Sequence, residues 1–540
     1  MNGAGRDNIH PPGRDNIRAP GRDGLNDALA GQAAGMTVGD LLLHQVRLRP
    51  DHPAVQDGAR HLTFDAFNAR VNRLAHVLLG LGIRRGDRVA ILSENRLEYL
   101  ELLFAAAKTG AIVAALNWRL SDPELRHCIN LVSPRAILVA PAYGTTIQRL
   151  DIDAGVAIAI GDDYEDRLAR APAAEPRCLV ETEDGLMILY TSGTTGMPKG
   201  ALISHRAQVA RMFAACVDFD LATGDNFVAW APMYHMASAE QSISVLGRGG
   251  KIVVVPGYDP DRIIHAIETV PQWWLLLMPG MIDDMIQILR RRPIVPAPIK
   301  LAGAMADLVP PHQIAEISSL LRTPYANTFG STETGLPPFS AGRFAPGVAP
   351  DRLGKTPCTS GHFRLVDPDD RDVPDGEPGE VAFRGPTLFS GYWKAPETTA
   401  RDFRGGWFHL GDVCRRNPDG TVDFVDRVKY MIKSGGENIY PAEIERVLLT
   451  DPRVADAVVV RRPDAQWGEV PVAFVARRDD SLTEDDLIRR CRSELAGYKR
   501  PKGIRFIAAD ALPRSTPGKI QRHEVEKWLT AEPSDPQADR

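Results

Sequence analysis

Long hydrophobic runs are missing from this chain. No stretch approaches the ~18 uninterrupted apolar residues that a membrane-crossing helix needs. The longest candidate, Trp273 to Ile282, contains Pro279 and Gly280 and reads as a buried strand running into a turn. Integral membrane association is therefore not expected. Cysteine is sparse: Cys128, Cys178, Cys216, Cys358, Cys414 and Cys491 are scattered, with no CxxC pair. This argues against a disulfide scaffold or a zinc ribbon and fits a reducing, cytoplasmic compartment. Neither sign of charge dominates, since 64 Lys plus Arg stand against 69 Asp plus Glu, a net charge of −5. That is too mild for nucleic acid to be the main partner. The N-terminus has no apolar core of a secretory signal, and neither end carries a lipidation motif.

What is present is a chain of 540 residues, 44% apolar and 25% charged. It is too long for a single core, so two or more domains are expected. The first 35 residues stand apart. Gly5-Arg6-Asp7-Asn8-Ile9 recurs as Gly13-Arg14-Asp15-Asn16-Ile17, and Gly21-Arg22-Asp23-Gly24 is a partial third copy. With few apolar residues to bury, segment 1–35 is expected to be disordered.

From Thr37 onward, helical and strand periodicities alternate. Helices are expected at Phe64–Leu81 and Glu98–Lys108, and strands at Arg88–Leu92, Leu186–Leu189, Phe227–Trp230, Ile252–Val255 and Trp274–Met278. Such alternation implies sheets covered by helices. A β-rich stretch follows from Phe363. After Arg427 comes a compact α+β unit, with helices at Ala442–Leu449 and Glu484–Leu495, strands at Ala457–Arg461, Val472–Ala476 and Ile504–Ala508, and a last helix near Ile520–Leu529. The expected organisation is a large N-terminal region over 36–427, with two α/β sheets and a small β-rich subdomain. A smaller, mobile α+β domain over 428–530 and a tail over 531–540 follow.

The most informative segment is Tyr190-Thr191-Ser192-Gly193-Thr194-Thr195-Gly196-Met197-Pro198-Lys199-Gly200. Its glycines let backbone N–H groups converge on an anion, its hydroxyls add donors, and Lys199 adds charge. The spacing differs from the Walker loop, because two residues separate Gly196 from Lys199 and no Ser or Thr follows the lysine. Read locally, an apolar strand feeds the loop, and Ser204 caps a helix running through Cys216.

This loop resembles the signature of the adenylate-forming superfamily, which includes acyl-CoA synthetases, luciferases and stand-alone adenylation domains. Five further segments, in the family's order, carry the same resemblance: Thr328-Phe329-Gly330-Ser331-Thr332-Glu333-Thr334, Gly406 to Asp412, Asp426-Arg427-Val428-Lys429, Ser434 to Pro441, and Pro513 to Ile520. Together they cover about residues 37–530.

The resemblance implies roles. The loop Thr191, Ser192, Gly193, Thr194, Thr195, Gly196 and Lys199 would grip the β/γ-phosphates of ATP. Gly303, Ala304, Thr328, Phe329 and Gly330 would line the nucleotide site. Thr332 would donate to the α-phosphate and Glu333 would hold Mg2+. Asp412 and Arg427 would bind the ribose, and Lys519 would bridge the carboxylate and the α-phosphate. His235 would gate an acyl pocket formed with Met236, Ala237 and Gly303. From Val228 to Ala239 no residue is formally charged apart from a protonated His235, so the pocket is expected to be apolar. Lys433, Ser434, Gly435 and Gly436 would line a passage for the CoA thiol, and Lys429 would be the hinge.

The reaction implied is ATP-dependent ligation of a small carboxylic acid to CoA, through an acyl-adenylate with release of pyrophosphate. Alternatives are a free-standing adenylating enzyme that loads a carrier protein, a luciferase-like oxygenase, or a non-catalytic nucleotide-binding relative. The acid and any homo-oligomeric state are not legible in the sequence.

Overall fold

The computed structural model describes residues 33–191, 197–435, 437–514 and 520–529. The N-terminal repeats, Ser192–Gly196, Gly436, Ser515–Lys519 and the tail from Thr530 lie outside the described residues.

Two large sheets organise the first part of the chain. One has six strands, in the order Val156–Ala159, Ala136–Val139, Arg88–Leu92, Ile112–Ala115, Gly185–Thr191, Lys199–Ser204. All neighbours are parallel except the last pair. Ile112–Ala115 and Ala136–Val139 are buried at every position, as unbroken apolar strands in a parallel sheet must be. The other sheet has eight strands, in the order Gly342–Phe344, Tyr325–Asn327, Ile299–Ala302, Gln272–Leu275, Phe227–Ala229, Ile252–Val254, Pro53–Asp57, Arg60–Thr63. Its centre is parallel and its two edge pairings are antiparallel.

One hydrophobic core takes in residues of both sheets and the helices packed on them. The helix Leu97–Thr109 is buried at every residue and touches strands of each sheet. Its charged residues are all paired. Glu98 meets Arg60, Glu101 meets Arg70 and the Tyr164 hydroxyl, and Lys108 meets Glu175 at 2.6 Å.

A four-stranded antiparallel sheet, His362–Val366, Pro378–Arg384, Phe408–Arg416 and Val422–Arg427, forms a third layer with its own small core. Beyond Arg427 a five-stranded sheet is built on the long hairpin Val454–Asp464 and Gly468–Arg477, with its own core. Ile504–Ile507 adds to it in parallel, and the helices Pro441–Leu448 and Glu484–Glu494 pack nearby.

Two expectations need correction. The stretch Trp273–Ile282 does not end in a turn. The strand stops at Leu275, and Pro279 opens the helix Pro279–Arg291, because proline is well placed in a first helical turn. The Gly/Thr-rich loop does not run directly into the helix capped by Ser204. Lys199–Ser204 is first a strand, antiparallel to Gly185–Thr191, so the loop closes a hairpin. The helix His205–Asp218 then begins as expected, with the Ala207 N–H donating to Ser204 Oγ at 3.3 Å.

Candidate active site

The eight-stranded sheet fixes where a ligand can sit. From Phe227–Ala229 the chain moves to one neighbouring strand, Ile252–Val254, and then returns to the opposite side at Gln272–Leu275. Strand order reverses there, and open α/β sheets bind ligands outside the carboxyl ends of strands at such a reversal. The segments expected to carry chemistry leave those same ends. Pro232 to His235 follows Phe227–Ala229, Gly303-Ala304 follows Ile299–Ala302, and Thr328 to Glu333 follows Tyr325–Asn327.

Each of these segments is tied down. His235 caps the helix Met236–Gly247, and its Nδ1 accepts from the Ala237 N–H at 3.2 Å. That bond places the proton of the neutral ring on Nε2. Gly303 has φ +98°, its N–H donates to Leu275 O at 3.0 Å, and its carbonyl accepts from Trp274 Nε1 at 2.9 Å. A Cβ on Gly303 would lie 2.6 Å from the Tyr325 ring, so only glycine fits. Ala304 is buried beside it. The Phe329 N–H donates to Ser340 Oγ at 2.9 Å, and its ring packs on Phe339 and Phe424. Ser331 Oγ accepts from the Glu333 N–H at 3.2 Å, which shapes the turn holding Thr332 and Glu333.

The segment 387–393 joins this turn to the glycine-rich hairpin. The Phe389 N–H donates to Glu333 O at 2.9 Å, and the Tyr392 hydroxyl donates to Glu333 Oε1 at 2.9 Å. The Trp393 N–H donates to Gly200 O at 2.7 Å, and Lys199 Nζ lies 5.2 Å from the centre of the Tyr392 ring. Thr191 and Lys199 are the last paired residues of the hairpin. Lys199, Tyr392 and Glu333 are thus one cluster.

Asp412 and Arg427 face each other across antiparallel strands, with Nε 2.9 Å from Oδ1. The Asp412 side chain is 7% exposed and that of Arg427 is 43% exposed. The Asp412 carboxylate, with Glu333 adding to it, holds the Arg427 guanidinium above its ordinary value against the opposing effect of burial. Glu380 braces this strand. Its carboxylate accepts from the Gly411 N–H at 3.2 Å and from Arg404 at 2.7 Å, and lies 3.3 Å from His409 Nδ1. Burial opposes ionisation of Glu380, yet His409 and Arg404 hold its carboxyl below the usual range.

Lys429 lies in the short turn Val428–Tyr430, with Nζ 4.8 Å from the Tyr430 ring. Lys433 and Ser434 are in a strand of the C-terminal sheet, and Gly435 begins the turn that follows it. The Lys433 N–H donates to Glu469 at 2.9 Å, and the Gly435 N–H donates to Trp467 O at 2.8 Å. Among the described residues, no hydrogen bond of these three reaches the turn 328–333. Ser192, Gly193, Thr194, Thr195, Gly196, Gly436 and Lys519 lie outside the described residues.

Sequence reasoning missed Tyr392, Glu380, and the buried pair Arg211–Glu240. Tyr392 had a signal, a Gly391-Tyr392-Trp393 run in the connection between the strands Pro378–Arg384 and Phe408–Arg416. The other three have none, since an isolated charge inside a helix or strand normally reads as solvated.

Among the described residues no group of three or more His, Cys, Asp or Glu could hold a metal by itself. Glu333 offers one carboxylate with a single described side-chain partner. That donor set suits Mg2+, which keeps waters and phosphate oxygens and takes one or two carboxylates. No helix among the described residues is long and apolar enough to cross a membrane.

The AMP-binding enzyme family profile matches residues 42–393, and the profile of the AMP-binding enzyme C-terminal domain matches residues 443–519. A feruloyl-CoA synthase of an Amycolatopsis species is 34% identical over 514 residues, covering 91% of this chain and 98% of that protein. A fatty acid–[acyl-carrier-protein] ligase of Streptomyces coeruleorubidus is 31% identical over 498 residues, covering 88% and 93%. The solved structure of a Mycobacterium tuberculosis fatty acyl CoA synthetase superposes with a TM-score of 0.74 at 28% identity, covering 92% of this chain and 98% of that one.

Proposed function

The chain belongs to the AMP-binding enzyme family, and from that premise we propose that it joins a carboxylic acid with an uncharged tail to coenzyme A. The acid and ATP form an acyl-adenylate and pyrophosphate, and the CoA thiol then displaces AMP to give the thioester.

The observation that carries this reading is the cluster of Lys199, Tyr392 and Glu333, with the Glu333 carboxylate close enough to the Asp412–Arg427 pair to act on the Arg427 guanidinium. A nucleoside triphosphate needs cations and N–H donors at one end and acceptor oxygens for its sugar at the other. Thr191 and Lys199 would lie along the phosphates and the Asp412 carboxylate would accept from ribose hydroxyls, with Arg427 orienting it. Glu333 would hold Mg2+, which when bound neutralises phosphate charge. Thr332 would donate to the α-phosphate, and Lys519 would bring one positive charge to the acid and the α-phosphate together. Chemistry of this kind is stabilised by fixed charge and position, without a covalent nucleophile.

His235 would sit at the mouth of the acyl pocket beside Met236, Ala237 and Gly303. Glu240 lies just beyond this uncharged stretch, and its Oε1 is paired with Arg211. The two curated relatives described above are named for a feruloyl and a fatty acyl group, which suits a preference for apolar tails. Lys433 to Gly436 would line the thiol's route, with Lys429 as the pivot that exchanges Lys519 for this segment.

A panel of ferulate, benzoate, hexanoate, a dicarboxylate and an amino acid in a pyrophosphate-release assay tests the substrate class. Faster turnover of the dianionic or zwitterionic acids would refute the apolar-tail reading. Parallel reactions with CoA and with a phosphopantetheinylated carrier protein test the acceptor.

A further inference from the structure

Arg211 and Glu240 are charged, almost fully buried, and belong to none of the motifs above. We propose that Arg211, held in place by Glu240, is a positioning residue for the Thr332–Glu333 turn and so for ATP. The inference rests on the adenylation reading of that turn.

The side chains of Arg211 and Glu240 are 3% and 1% exposed. All three functional nitrogens of the guanidinium are used. One donates to Glu240 Oε1, Nε donates to Thr387 O at 2.9 Å, and the other terminal nitrogen donates to Thr332 O at 3.1 Å. The two carbonyls belong to the two segments that frame Glu333. Thr332 precedes it, and Thr387 begins the segment whose Phe389 N–H and Tyr392 hydroxyl bond it. The stem of Arg211 lies under the exit of the turn. A Cβ on Gly335, which has φ +76°, would stand 2.9 Å from Arg211 Cδ.

A planar five-donor fork can bind three acceptors in fixed directions, whereas an ammonium cannot match that geometry. Burial makes such a cation costly by itself, and Glu240, from the helix that starts at His235, offsets that cost. A purely structural ion pair has no need to grip the backbone on both sides of Glu333.

The test uses the full chain and three proteins: wild type, Arg211→Lys, and the double variant Arg211→Met with Glu240→Leu. The double variant leaves no unpaired buried charge, so it is expected to fold, with melting near that of wild type. Calorimetry gives the Kd for MgATP, and pyrophosphate exchange gives KM for ATP and for the acid. The double variant should bind MgATP about tenfold or more weaker, with ATP KM rising in step, while acid KM moves less than about threefold. Arg211→Lys, which keeps the ion pair but loses the fork, should weaken ATP in the same direction and carries the test if the double variant misfolds. Unchanged ATP affinity in a folded variant, or equal rises in KM for ATP and acid, would overturn the proposal. Wild type that fails to bind MgATP would refute the adenylation reading itself, and this inference with it.

Discussion

The carboxylate of Asp412 lies 2.9 Å from the guanidinium of Arg427, on residues that face each other across the last two strands of the four-stranded sheet. The pair closes the strand just before the chain enters the C-terminal unit. Asp426, next to it, accepts from the Ala442 N–H at 2.7 Å. The neighbouring residues Asp426 and Arg427 therefore link the proposed ribose pair to the first helix of the C-terminal unit.

Asp412→Asn keeps the shape of the side chain but removes its charge and one acceptor. It should raise KM for ATP and lower kcat/KM by roughly 10–100-fold, as expected for a lost hydrogen bond to a charged group. Steady-state kinetics with ATP varied at saturating acid checks this. An unaltered ATP dependence would remove Asp412 from the nucleotide site.

Tyr392→Phe deletes the hydroxyl that holds Glu333 Oε1 while leaving the ring under Lys199. The loss should be roughly 1.5–3 kcal/mol in transition-state terms, smaller than for Glu333→Gln, with little effect on melting. Measuring pyrophosphate exchange for both variants gives the order, and a Tyr392→Phe defect larger than that of Glu333→Gln would contradict it.

His205 predicts an acid limb of stability. It is fully buried, and its Nδ1 accepts from the Val38 N–H at 3.2 Å, a bond that only the unprotonated nitrogen can make. Burial lowers its pKa from 6.5 to about 4, against the pull of Asp184 and Asp40. A depressed folded pKa contributes stability that is fully present above the unfolded value and lost as pH falls toward the folded one. The loss should therefore run from about pH 6.5 down to about pH 4, and amount to about 3 kcal/mol at most. Urea unfolding of wild type and His205→Gln across that range checks it. The gap between the two should narrow as pH falls, and a gap constant with pH would contradict the assignment.

Lys519 lies outside the described residues, so its role is tested by kinetics alone. Lys519→Ala should slow adenylation by roughly 10²–10³-fold, the cost of one positioned charge in a water-poor site. Supplied with prepared acyl-adenylate, the same variant should still form thioester. Equal slowing of both half-reactions in a folded variant would mean one fixed site and no exchange about Lys429.

Several parallel strands were readable because they are buried on both faces. Arg88–Leu92, Phe227–Ala229 and Ile252–Val254 are short apolar strands buried at nearly every position, and Phe64–Gly80 shows helical spacing, whereas Ile112–Ala115 and Ala136–Val139, equally buried, went unread. The strand Lys199–Ser204 was not readable, because its mixed pattern follows a glycine-rich loop and its pairing partner supplies the order. Glu380 and Arg211 were also illegible. Their roles arise from contacts 31 and 121 residues away, to Gly411 and Thr332, which local periodicity cannot encode.

The most direct test of the central claim is product analysis of the purified protein with MgATP, an apolar-tailed acid and CoA. Acid-dependent exchange of labelled pyrophosphate into ATP should occur without CoA. With CoA, AMP, pyrophosphate and acyl-CoA should form in equal amounts. ADP and phosphate as products, or AMP formation indifferent to the acid, would contradict an acyl-adenylate route.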